Sequence, residues 1–186
     1  MLKNQKSFIR DKYIKTRNKI NNRNILERNL NNNIISFFES QRKLYISGYF
    51  AVRGEVSINQ SLCELNTCTN IICVPKIYPR SKNLIFISWN NNNPLKKGTF
   101  DIPVPIYGEV ITPNYLLVPL VAFDQNKNRL GYGGGYYDTT INNLKKKNKQ
   151  LVSIGIAYDQ QFYPNLPTER FDQRLDYIIT ESKVIS

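Results

Sequence analysis

The chain contains no histidine. That absence removes the side chain most often used as a general base near neutral pH and the commonest metal-binding imidazole, so Ser-His-Asp and Cys-His mechanisms are excluded. Cysteine is scarce: Cys63, Cys68 and Cys73 are odd in number and spaced C-x4-C-x4-C. With no histidine beside them they fit neither a disulfide framework nor a zinc site, and buried or incidental thiols are expected. No apolar run approaches the roughly 20 residues that span a bilayer, and the polar, basic start lacks the apolar centre of a secretion signal. A soluble, cytoplasmic protein with no membrane partner is expected. Acidic residues are also few, 14 Asp and Glu against 26 Lys and Arg, a net charge of +12. Chemistry must therefore come from carboxylates, cations and backbone amides.

A length of 186 residues with 41% apolar content suits one domain, residues 1–186, around one core. The positive charge favours polyanions, and with twelve tyrosines it supports a basic nucleic-acid-binding module as an alternative reading. Against that reading, Lys, Asn and Ile are abundant throughout, as in Asn90 to Asn93, so the charge is compositional. No RNA-recognition or helix-turn-helix signature accompanies it, and no specific nucleic-acid partner is expected.

The first forty residues read as two helices. Ile9, Tyr13 and Ile20 form an apolar stripe on the first, and Lys6, Arg10 and Arg17 fall within about 40° of one another beside it. Leu26, Leu30, Ile34, Phe37 and Phe38 give the second a core face. Leu44 to Phe50 reads as a buried strand, and Ser57-x-x-Gln60 as a capping box opening a short helix with Ile58, Leu62 and Leu65 on one side. Further strands are predicted at Ile71 to Val74, Leu84 to Ser88, Tyr115 to Val121, Leu151 to Ala157 and Tyr177 to Thr180, several of them continuous apolar runs of the kind buried on both faces. The pattern implies an α/β layered sandwich with helices on both faces of a mostly parallel sheet. Ligands in such sheets collect beyond the carboxyl ends of strands, where the loops carrying Glu55, Asp124 to Asp138 and Asp159 to Asp172 would meet. Pro103 and Pro105, with the Asn90 to Gly98 tract, predict a long irregular flap.

The densest signal is Leu116 to Asp124 followed by Arg129-Leu-Gly-Tyr-Gly-Gly-Gly-Tyr-Tyr-Asp138. An apolar strand empties into Gly131, Gly133, Gly134 and Gly135, which permit positive φ and close approach of a polyanion. Tyr136 to Lys149 reads as a helix whose N-terminal end would point at the same charge. The spacing is neither a dinucleotide fingerprint nor a Walker loop. A plain surface turn needs neither the cation Arg129 nor the carboxylates Asp124 and Asp138 beside it, so a phosphate site is expected.

Phe-Asp-x4-Arg-Leu-Gly-Tyr-Gly-Gly-Gly-Tyr-Tyr-Asp resembles the signature of the 5-formyltetrahydrofolate cyclo-ligases, also called methenyltetrahydrofolate synthetases. The likeness extends to Lys6-Ser-Phe-Ile-Arg10, Tyr49-Phe-x4-Glu55, Val74-Pro75 and Leu166-Pro167-x4-Asp172. It implies an enzyme that uses ATP and Mg²⁺ to close 5-formyltetrahydrofolate into 5,10-methenyltetrahydrofolate through a phosphorylated formyl group. It further implies that Lys6, Arg10, Arg129, Leu130, Gly131, Tyr132, Gly133, Gly134, Gly135, Tyr136 and Tyr137 bind ATP, with Arg129 and Lys6 catalytic. Phe50, Glu55, Tyr132 and Tyr136 would bind the folate, and Asp138 and Asp172 the metal. A monomer acting on a small folate is expected, and a non-catalytic folate- or nucleotide-binding relative is the second alternative. The chain departs from the pattern at Lys127, where glycine is usual and Asn126 or Asn128 would take the turn. It departs again at Asp101 and Val104 in a stretch that more often reads Gly-Ile-x-Glu-Pro, at Phe171 before Asp172, and at Thr139, where arginine is common. Gln161 occupies a family-like position to which no role is assigned.

Overall fold

The computed structural model describes residues 2–67 and 69–186; Cys68, and the thiol expected there, lie outside them. In chain order the elements are α1 (Leu2–Asn18), α2 (Arg23–Phe38), β1 (Tyr45–Ser47), α3 (Asn59–Leu65), β2 (Ile71–Lys76), β3 (Ile85–Ser88), β4 (Leu95–Lys97), β5 (Pro103–Pro105), β6 (Val110–Ile111), β7 (Tyr115–Pro119), β8 (Ala122–Phe123), β9 (Arg129–Leu130), α4 (Tyr136–Lys147), β10 (Val152–Ile156), β11 (Tyr177–Ile179) and β12 (Val184–Ile185). No helix among the described residues is long and apolar enough to cross a membrane.

Eight strands form one sheet in the order β12-β11-β10-β7-β1-β2-β3-β6. The five inner strands, β11 to β2, run parallel, and antiparallel strands finish both edges. Both faces are buried, which is why the strand sequences are apolar without alternation. Side chains still point alternately: Leu117 joins Leu30, Ile34, Phe38 and Leu62 on the face covered by α2 and α3, and Leu116 and Val118 join Ile141 of α4 on the other. The expected layered α/β sandwich is what the chain forms.

From β1 the chain steps outward to β2, and from β7 it steps the opposite way to β10 and β11. This reversal opens a crevice between the carboxyl ends of β1 and β7. α1 lies across that end, with Ile9 and Tyr13 packed against Val121, Ala122, Leu130 and Leu166. Its apolar stripe thus seals the crevice and carries its cations to the rim.

Three local expectations are corrected. β1 ends at Ser47, short of the expected Phe50: Gly48 N–H still donates to Cys73 O of β2 (2.9 Å), and Leu62 of α3 packs so closely on Gly48 that a Cβ there would sit 2.4 Å from it. The Ser57/Gln60 capping box does not form: α3 is capped at Ile58 without a side-chain bond, Ser57 N–H donates to Glu27 (3.1 Å), and the Gln60 amide donates to Glu64 (3.0 Å). The irregular flap is instead a hairpin in which β4 pairs antiparallel with β5. A two-stranded ribbon has an open edge on each strand, so Pro103 and Pro105 cost it no buried ladder bond. Its tip, Thr99–Asp101, holds Phe100 and Asp101 at φ 60 and 58, with the Phe100 ring edge-on to Tyr136 at 6.4 Å.

Candidate active site

At one end of the crevice, cations from α1 and β9 meet carboxylates from the first turn of α4 and from the loop carrying Glu169 and Asp172. Lys6 donates to Asp172 (2.6 Å) and Glu169 (2.9 Å). Burial alone would lower its pKa, but the two carboxylates outweigh burial and raise it above 10.5. Arg129, buried at the start of β9, donates to Asp138 (2.6 Å) and to the carbonyl of Gln173, whose own N–H returns to the same Asp138 oxygen (3.0 Å). Burial lowers the Arg129 pKa, opposed by Asp138, Asp172 and Tyr137. The guanidinium therefore feels both of the expected metal-binding carboxylates.

The glycine loop runs between these groups. Of the four glycines that permit positive φ, Gly133 (φ 94) and Gly135 (φ 71) adopt it. Gly135 is the N-cap of α4, and no side chain caps the helix there, leaving its amide end to an anion. Arg10 holds the loop from α1, donating from Nε to Gly131 O (2.8 Å), and the rest of its guanidinium lies over Gly133, where a Cβ would come 3.4 Å from it.

Asp124 plays a different part from the one its position suggested. Fully buried, it accepts Asn126 N–H, Asn128 N–H, the Asn128 amide and Leu166 N–H, and so builds the β8–β9 turn. Neither asparagine takes the strained position; Lys127 itself sits at φ 63.

The other end is built around Glu55. Arg53 (φ 52) and Gly54 (φ 79) make a tight left-handed turn, closed by Glu55 N–H to Val52 O (3.0 Å) and by Val52 N–H to the Glu55 carboxylate (3.0 Å). From α2, Arg23 grips the carbonyls of Gly54 (2.8 Å) and Glu55 (2.9 Å). Burial pushes the Glu55 carboxyl above its ordinary value of 4.5; the Val52 N–H, Arg17, Tyr132 and Arg53 oppose that push without cancelling it. Phe50 precedes this turn with its ring edge-on to Trp89 at 5.4 Å. Tyr137 and Tyr49, both held protonated by burial, also face Glu55.

Two tyrosines connect the ends. Tyr132, between Gly131 and Gly133, has Arg17 and Arg53 over its ring (5.7 and 5.3 Å) and its hydroxyl beside Glu55. Tyr137 lies within the field of both Glu55 and Arg129. Leu130 and Tyr136, by contrast, pack mainly into the flanking core, so Leu130 offers the site only its backbone.

The same chain matches the model of the 5-formyltetrahydrofolate cyclo-ligase family over residues 2–181. The chain belongs to the 5-formyltetrahydrofolate cyclo-ligase family. A Haemophilus influenzae 5-formyltetrahydrofolate cyclo-ligase is 33% identical over 152 residues, 78% of this chain and 80% of that protein. The Escherichia coli enzyme of the same name is 31% identical over 145 residues, covering 75% and 79%. Among solved structures, Aquifex aeolicus 5,10-methenyltetrahydrofolate synthetase superposes with a TM-score of 0.75 at 28% identity, covering 96% of this chain and 91% of that one.

Within this cyclo-ligase framework, the reading from sequence missed Arg17, Arg53 and Glu169. Arg17 shared a helical sector with Lys6 and Arg10, which was the available signal. Gln161, fully buried, ties the loop after β10 to the end of β7: it accepts Tyr158 N–H (2.9 Å) and donates to Leu120 O (2.8 Å) and Val121 O (3.0 Å). Among the described residues no group of three or more His, Cys, Asp or Glu side chains gathers to hold a metal. A magnesium ion carried on a polyphosphate needs only one or two protein carboxylates, and Asp138 and Asp172 are the two candidates beside the glycine loop.

Proposed function

We propose that this chain closes 5-formyltetrahydrofolate into 5,10-methenyltetrahydrofolate with ATP and Mg²⁺, releasing ADP and phosphate. The observation that carries the reading is the convergence, in one crevice, of a cation-lined glycine loop with a buried carboxylate. The first suits phosphates and the second suits the donor edge of a pterin.

In this reading Lys6 and Arg10 bind ATP phosphates, and the amides of Gly131 to Gly135 and the α4 end cradle the transferring group. Glu55 accepts hydrogen bonds from the amino-pyrimidinone edge of the folate, with Phe50 and Tyr132 along its rings. The formyl oxygen attacks the γ-phosphorus as the bond to ADP breaks. N5 then carries an iminium phosphate, N10 attacks its carbon, and the C–O bond breaks to release phosphate, which takes up the N10 proton. Arg129, aimed by Asp138 and Gln173, meets the charge that builds on the transferring phosphoryl group. Magnesium, when bound, neutralises phosphate charge. Asp138 and Asp172 would hold it. No histidine is needed, because N10 closes a ring held in reach and the activating step is phosphorylation.

The reading is tested by counting products: one ADP and one phosphate should appear per methenyl product, and none without both folate and nucleotide. Folate-independent ATP hydrolysis at the same rate would refute it.

A further inference from the structure

Arg17 is the largest side chain buried to near completeness, at 1% exposure. A lone buried guanidinium is costly unless its donors are satisfied. Here three segments share it: it donates to Leu120 O just beyond β7 (3.0 Å), to Arg53 O in the turn before Glu55 (2.8 Å), and to the hydroxyl of Tyr132 in the glycine loop. Leu120 O is also the acceptor of Gln161, so the loop after β10 joins the same knot. Only Nε is left without a partner.

The arrangement has a directional consequence. Tyr132 is flanked in sequence by Gly131, held by Arg10, and by the left-handed Gly133, so anything that orders the glycine loop fixes the root of its side chain. Its tip is pinned by Arg17 beside Glu55. Resting on the function proposed above, we propose that Arg17 is a positioning residue that couples the two halves of the site: through Tyr132, a nucleotide on the glycine loop orders the Glu55 turn for folate, and folate does the same for the nucleotide. Ordering one loop in advance lowers the entropic cost of ordering the other, and by linkage the effect is reciprocal.

The groups facing Glu55 allow this role to be separated from simple charge balance. They are Arg17 from α1, Arg53 on its own turn, Tyr132 from the glycine loop, Tyr137 from α4 and Tyr49 after β1, while Arg23 of α2 holds its backbone. Arg17→Lys keeps the charge but replaces the fork, which reaches Leu120 O from one nitrogen and Arg53 O and Tyr132 from the other, with a single ammonium nitrogen. Tyr132→Phe keeps the ring and deletes only the hydroxyl.

The test is calorimetric binding of 5-formyltetrahydrofolate with and without a non-hydrolysable ATP analogue and Mg²⁺. In the wild type the analogue should tighten folate binding about ten-fold, within the roughly 5- to 150-fold range of coupled sites. In Arg17→Lys and Tyr132→Phe the factor should fall to about two or less, by the same measure. In Arg17→Lys, affinity for the analogue alone should stay near wild type. Variants that weaken each ligand separately while keeping the ten-fold factor would overturn the coupling and leave Arg17 a packing residue. A wild-type factor near one, in protein that still makes product, would overturn the coupling but not the proposed function; no folate binding under either condition would overturn both.

Discussion

Glu55→Gln separates binding from stability at a single buried carboxylate. One Glu55 oxygen accepts the Val52 N–H, a bond the amide oxygen of glutamine can keep. The turn should therefore survive, and what is lost is the negative charge offered to the pterin edge. Hydrogen bonds to a charged group contribute about 1.5–3 kcal/mol, so the folate KM should rise roughly 10- to 150-fold. The ATP KM should change less than about two-fold, since that charge lies beyond the phosphate contacts. Stability should move the other way. Because burial raises the Glu55 pKa above 4.5, the folded state holds this proton longer than the unfolded chain does. Its contribution is full below 4.5 and is lost as pH rises through the folded pKa. Glutamine cannot ionise, so the variant should melt no lower than wild type at pH 7. Initial-rate kinetics with each substrate varied, and thermal melts at pH 5 and 7, check both arms. An unchanged folate KM, or an ATP KM that rises in parallel, would refute the assignment of Glu55 to folate.

Arg129→Ala should lower kcat by about 10²- to 10³-fold, as loss of a preorganised donor to developing charge does, with a much smaller effect on folate affinity; equal loss of both would reject the transition-state role. Lys127→Gly should raise stability by about 0.5–1 kcal/mol, since a left-handed lysine costs about 1–2 kcal/mol and glycine returns about 0.5–1 of that as chain entropy. A melting temperature about 1–4 °C higher checks it, and a lower one would contradict the strain. For Asp176, burial would raise the pKa, but the Ser153 N–H and hydroxyl and the Lys145 ammonium hold it below 3.8. Its contribution is thus present above 3.8 and lost as pH falls through the folded pKa. Asp176→Asn should cost stability at pH 7 and progressively less as the pH falls below 3.8, as read by urea melts across that range.

The centres of the elements could be read from the sequence because their causes are local. Apolar runs such as Leu116 to Val118 mark strands wherever they fall, and Gly133 and Gly135 announce a left-handed turn and a helix start. Their ends were less legible because neighbours decide them: Leu62 of α3 packs directly on Gly48 just past β1, and Ser57 N–H prefers Glu27 to its own helix. The β4–β5 hairpin was read as irregular because proline and asparagine suggest loops, whereas the pairing depends on which chain lies alongside. Arg17 looked like one cation among many, since its acceptors stand 36, 103 and 115 residues away. The Lys6 and Arg129 ends were reachable from the family resemblance, but their carboxylate partnerships were not, because Glu169, Gln173 and the shared Asp138 oxygen come together only in the folded chain.

The most direct measurement is the absorbance of the methenyl product when purified protein meets 5-formyltetrahydrofolate with ATP and Mg²⁺, beside controls lacking each. A rise that requires both nucleotide and metal is the predicted result. No rise, in protein that ATP and Mg²⁺ still stabilise against heat, would contradict the account and leave a nucleotide-binding relative without the reaction.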